Sequence, residues 1–184
     1  MSERPRSDLG GVRDAMRARD DAPSETARPA SRTISDGPSE MATGVATTQI
    51  DFGGEDRFQT LRRELGVSSF GLNLIRLRPG QRSRIHRHKR QEEVYVVLEG
   101  TLWLAVEGEG DDERVLERGG AARVAPGVRR RLTNRGDQLT VLLALGGAEP
   151  HEGRDGEAFE SWDEEEGRPP QQVPMPPDLP ASGG

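Results

Sequence analysis

Residues 80–100 read Gly80-QRSRIHRHKRQEEVYVVLE-Gly100, and this stretch decides both fold and site. Val94 to Leu98 is a β-rich run, and the histidines stand on the segment just before it. His86 and His88 are two residues apart, a spacing that places both imidazoles on one face of a strand. Glu93 follows five residues later, at the start of the next run, and a hairpin would return it to the same point. Two neutral ring nitrogens and one carboxylate suit a divalent transition metal: Fe, Mn, Ni, Co or Zn. Glu92 is the rival carboxylate. Tyr95 shares parity with Glu93, and Arg82 and Arg84 share it with the histidines. These three side chains extend the expected pocket-facing surface.

On either side, short β-type runs succeed one another. Phe70, Leu72 and Leu74 alternate; so do Leu102, Leu104 and Val106 around Trp103; Leu139 to Leu145 is almost wholly apolar. Turn residues divide them at Pro79-Gly80, Gly100, Gly108 to Asp112, Gly119-Gly120, Pro126-Gly127 and Gly136-Asp137. Strands of this length, with no helical stretch between, indicate an all-β sandwich or barrel over residues 47–148.

The flanks differ from this middle. Hydrophobic residues make up 32 % of the chain, against roughly 45–50 % in an ordinary globular chain. Residues 1–46 are rich in Arg, Asp, Ser, Ala and Pro and are expected to be disordered, with a short helix allowed by the spacing of Leu9, Val12 and Met16. Residues 149–184 form an acidic, proline-rich tail that is also expected to lack structure, except that Phe159 and Trp162 dock its start onto the barrel. The charges divide accordingly: −1 over residues 1–46, +3 over 47–148 and −8 over 149–184. A fold-back of the acidic tail over a basic barrel mouth is one expectation, and a solvated tail is the other.

Cysteine is absent, which excludes disulfides and thiolate metal sites. No run approaches the ~18 apolar residues of a membrane span, and Met1 to Gly10 shows no apolar leader. A cytoplasmic protein with no membrane partner is expected. Lys89 is the sole lysine among 26 cationic residues, so arginine clusters reflect composition as much as function. They come with no helix-turn-helix, zinc finger or aromatic platform, and nucleic-acid binding is not expected. His151 lies among acids and glycines and receives no role.

The pattern Gly80, His86, His88, Glu93, Gly100 resembles the first motif of the cupins, complete at every spacing. Gly119, Gly127 and Asn134 resemble the second motif, with Ala125 in place of its proline. The resemblance spans roughly residues 68–146. It implies a double-stranded β-helix, or jelly-roll barrel, with the metal held inside near one mouth by His86, His88 and Glu93. It also implies pairing of two chains into a homodimer.

Arg130 stands where the family has its third histidine. A guanidinium has no lone pair to give a metal and keeps its charge. Three arrangements stay open. The three remaining ligands hold metal while Arg130 anchors an anion; Arg130 takes the metal position and pairs with Glu93; or Arg130 turns to solvent. Arg129 and Arg131 have the other parity and are expected on the surface. The leading expectation is a protein that binds a small anionic molecule beside a divalent metal, with Arg130, Tyr95 and Arg84 contacting the ligand. The alternatives are a metal-dependent oxygenase or isomerase, and a metal-free ligand-binding or sensor protein.

Overall fold

The computed structural model describes residues 44–148 and 155–180. All of these belong to one compact unit, residues 37–184; the other unit, residues 1–36, lies outside them. The helix considered around Leu9, Val12 and Met16, and His151, also lie outside the described residues.

Among the described residues the chain forms ten strands and one four-residue helix: β1 (Phe58–Gln59), α1 (Leu61–Glu64), β2 (Gly71–Leu77), β3 (Ile85–His88), β4 (Glu92–Glu99), β5 (Thr101–Val106), β6 (Glu113–Glu117), β7 (Ala121–Val124), β8 (Arg130–Thr133), β9 (Thr140–Gly147) and β10 (Gly156–Phe159). A short 3-10 turn covers Pro170–Gln172. Among the described residues, no helix is long and apolar enough to cross a membrane.

Two five-stranded sheets form, in the orders β1-β2-β9-β4-β7 and β10-β3-β8-β5-β6, and every pair of neighbouring strands runs antiparallel. This is the expected jelly roll. Alternation sets what faces inward. Ile75 and Leu77 of β2, Tyr95 and Val97 of β4, Leu102 and Leu104 of β5 and Leu132 of β8 join one buried cluster between the sheets. The opposite parity of the first sheet carries Leu74 and Val141, which α1 covers through Leu61. Arg76 is buried on this side and donates to the carbonyls of Asp51 and Asp56, tying residues 51–59 to the sheet.

The turns behave as the glycines indicate. Gly100 links β4 to β5 with φ of +71°, and a Cβ there would lie 2.4 Å from the Leu139 carbonyl oxygen. No side chain fits that approach. Asn134, buried, donates to the carbonyls of Leu77 and Gln138 and accepts from Gly136 N–H, which is a structural role.

The acidic tail departs from the expected disorder. Over residues 155–180 it adds β10 to the second sheet, pairing Phe159 with Ile85 and Ala158 with His86. Phe159 and Val173 are each 1 % exposed. The segment then runs back along the barrel until Leu179 N–H reaches the Gly80 carbonyl at 2.8 Å. Hydrophobic content missed this because a few apolar anchors suffice when the strand edge of β3 supplies hydrogen bonds and arginines supply charge. Glu157 pairs with Arg87 and Lys89. The Arg129 guanidinium stacks on Phe159 and donates to the Glu164 carbonyl. Arg129 and Arg131 thus lie under this segment, half-buried, and not on an open surface.

Candidate functional site

A cavity of about 260 Å³ lies inside the barrel. The second sheet brings His86 and His88 to it, and the first sheet brings Glu93 and Tyr95 from across the core. Arg130 pairs with His86 across the β3–β8 ladder. The residues that the sequence nominated therefore converge. Glu92, by contrast, points out and pairs with Arg123, as its parity requires. Trp103 is not on the cavity wall, and Arg84 is.

Both imidazoles are held by their Nδ1 atoms. His86 Nδ1 faces the Arg84 carbonyl at 2.9 Å, so it carries the proton. His88 Nδ1 lies 2.8 Å from the Asp155 carboxylate, which sets the same tautomer. Asp155 in turn accepts the backbone N–H groups of Arg90 and Gln91, each at 2.9 Å. Both Nε2 atoms then face inward. They lie 3.9 Å (His86) and 3.5 Å (His88) from Glu93 Oε2.

The same carboxylate oxygen accepts hydrogen bonds from Arg130 Nη2 and from the Tyr95 hydroxyl. Arg130 Nε donates to the Tyr95 oxygen at 3.2 Å, and Nη1 reaches the carbonyls of Val128 and His86. Arg130 is 1 % exposed. Of the three arrangements left open by the sequence, the structure shows the pairing of arginine with Glu93 that belongs to the second. Arg130 does not turn to solvent. Its donors are directed to protein acceptors, and it lies behind Glu93 and Tyr95 and not among the residues lining the cavity.

Electrostatics follow from this pairing. Burial lowers the His86 pKa to about 4, with the Arg130 charge acting the same way and Glu93 opposing, so His86 stays neutral with its Nε2 lone pair inward. For His88, burial pulls downward, but hydrogen bonding to Glu93 and the charge of that carboxylate raise it above its ordinary value. Burial opposes the ionised form of Glu93, yet His88 and then the Arg130 charge hold it well below the usual carboxylate range. Burial and the Glu93 charge push the Tyr95 phenol well above its ordinary value, so it remains a donor.

The residues as arranged do not fit the divalent metal that the family resemblance implies. An ion bridging His86, His88 and Glu93 would sit against the Arg130 guanidinium. Repulsion there is on the order of several kcal/mol even at an effective dielectric near 20. Glu93 and Arg130 are also a neutral pair, so no net negative charge draws a cation in. Among the described residues, no three histidine or carboxylate side chains form an arrangement that could hold a metal ion.

The rest of the cavity wall is largely apolar, formed by Ile75, Leu77, Leu132, Ala144, Ala158 and Met175, with Arg57 and Arg84 as cations. Two members of this site escaped the sequence reading. Arg57 lies just before β1 with no motif around it, and Asp155 lies in the acidic tail. Only charge complementarity between that tail and the barrel hinted at the second.

Fold and site together define a small jelly-roll barrel with a charge-paired polar patch inside it. The family model described as "Cupin domain" matches residues 73–146, and the chain carries a domain of the cupin superfamily. Among solved structures, a sugar phosphate isomerase of the cupin superfamily from Silicibacter pomeroyi is similar at 24 % identity. That match covers 65 % of this chain and 79 % of the other, with a TM-score of 0.50. A cupin protein from Bacteroides fragilis is 22 % identical over 59 % of this chain and 89 % of that one, with a TM-score of 0.49. A Thermus thermophilus protein is 28 % identical over 44 % and 74 %, with a TM-score of 0.40. At this level the similarity speaks to fold. No curated protein matches the chain.

Proposed function

We propose that this chain is a ligand-binding cupin in which Arg130 replaces the metal ion, and that its barrel takes up a small, partly apolar molecule bearing an anionic group. The observation that carries this reading is the hydrogen bond from the Arg130 guanidinium to Glu93, the carboxylate a cation would need. The anionic character rests on Arg57 and Arg84, which both line the cavity; burial lowers the Arg57 pKa, the Asp178 charge opposes this, and the like charge of Arg84 adds to it. An anion between them would relieve that repulsion. The apolar wall accommodates the body of the ligand, and His86 Nε2 offers an acceptor to a hydroxyl or amide at its inner end.

Elemental analysis of the purified protein, alongside Arg130→His, tests this. The parent is expected to carry no stoichiometric transition metal. Arg130→His restores a third imidazole and removes the charge, and is expected to bind about one equivalent. One equivalent in the parent would overturn the reading and return the protein to the metal-dependent oxygenase or isomerase class.

A further inference from the structure

A second cavity, of about 250 Å³, lies on the opposite face of β3, between the second sheet and the run Pro174–Pro177. Three arginines line it: Arg82, Arg84 and Arg131. Arg131 is the informative one. Its Nε is buried and has no hydrogen-bond partner among the described residues, while its guanidinium stacks on Trp162 at 5.7 Å. A buried donor left without an acceptor costs about 1–3 kcal/mol, so the protein leaves the hydrogen-bonding capacity of Arg131 unfilled.

Local charge points the same way. Burial lowers the proton affinity of Arg131, and the neighbouring Arg82 and Arg135 lower it further, against Glu113 alone. Glu113 is already committed to Arg135. One carboxylate, Glu160, lies in the cavity wall, but it pairs with Arg168 at 2.7 Å. Arg82 donates Nε to the Pro177 carbonyl at 3.0 Å, which fixes its guanidinium beside the prolines. Apart from Ser83, the remaining wall is apolar: Ile85, Phe159, Met175 and the prolines.

We infer that this outer cavity is an anion site for a phosphate monoester, whose phosphoryl oxygens are held by Arg131 and Arg82 and whose organic part lies against Phe159 and the proline run. Fixed guanidinium planes favour a multidentate oxyanion, and the apolar wall favours an ester over the free ion. The site adjoins the barrel cavity, sharing Ser83, Arg84 and Met175 with its wall, and does not depend on the function proposed for that cavity.

Calorimetric titration of the full chain with phenyl phosphate and with inorganic phosphate tests the assignment. Phenyl phosphate is expected to bind more tightly. Equal binding of inorganic phosphate would keep the anion site and identify the free ion as its source. Arg131→Gln and Arg82→Gln, each checked for unchanged thermal unfolding, are expected to weaken binding about tenfold or more. Absence of binding to the parent would overturn the site. So would binding that survives both substitutions but is lost in Arg57→Gln, which would place the anion inside the barrel. Arg84 lines both cavities and is not used to distinguish them.

Discussion

His86 illustrates how one residue at the site answers to its surroundings. Its folded pKa of about 4 lies below the ordinary 6.5, so the folded state favours the neutral ring. The stability contributed is full above pH 6.5 and is lost as pH falls toward 4. His88 has the reverse sign: its raised value gives stability that is full below 6.5 and lost as pH rises through the folded value. Urea denaturation from pH 6.5 down to 4.5 is therefore expected to show stability falling by roughly 1–2 kcal/mol. His86→Gln flattens this slope. An unchanged slope in the variant would show that His86 is not held neutral. His86, His88 and Tyr95 of this network were legible from strand parity, and Glu93 was singled out from Glu92 by the resemblance to the cupin first motif. Spacing did not tell where Arg130 would direct its charge. That depends on Glu93 and Tyr95 lying across the core, within reach of a long side chain.

The elements of the barrel were readable where alternation and turn residues agree. Leu102, Leu104 and Val106 fall on β5, and Leu139 to Leu145 mostly on β9. Gly100 is the clearest case of a turn that sequence and structure explain together. Gly100→Ala must place a Cβ against the Leu139 carbonyl while keeping a left-handed backbone. It is expected to cost about 2–4 kcal/mol of stability, measured by chemical denaturation. A loss under about 0.5 kcal/mol would mean the β4–β5 turn rearranges freely. Parity failed at Arg82, since β3 begins as a regular strand only at Ile85. Arg82 therefore leaves the histidine face and contributes to the outer cavity.

At the scale of the whole molecule, the segment 155–180 is the main departure from what composition suggests. It supplies Ala158, Pro170 and Met175 to the barrel cavity and Asp155 to His88. None of this follows from local pattern, because each contact pairs residues far apart in sequence. Truncation after residue 148 is expected to expose Ile85, unlatch His88 and lower the melting temperature by about 5 °C or more. Scanning calorimetry of the truncated chain measures it. A transition identical to that of the full chain would show that the segment adds nothing to the barrel.

The Glu93–Arg130 pair also bears on how such a pocket is maintained. A resident ion must be acquired from the surroundings; it can be stripped by a chelator, exchanged for a competitor or, for iron, oxidised in place. A guanidinium is assembled with the chain, has no oxidation states in this range and cannot diffuse away. On the proposed reading, the interior of this barrel needs no ion to be loaded after folding, in metal-starved and metal-replete conditions alike.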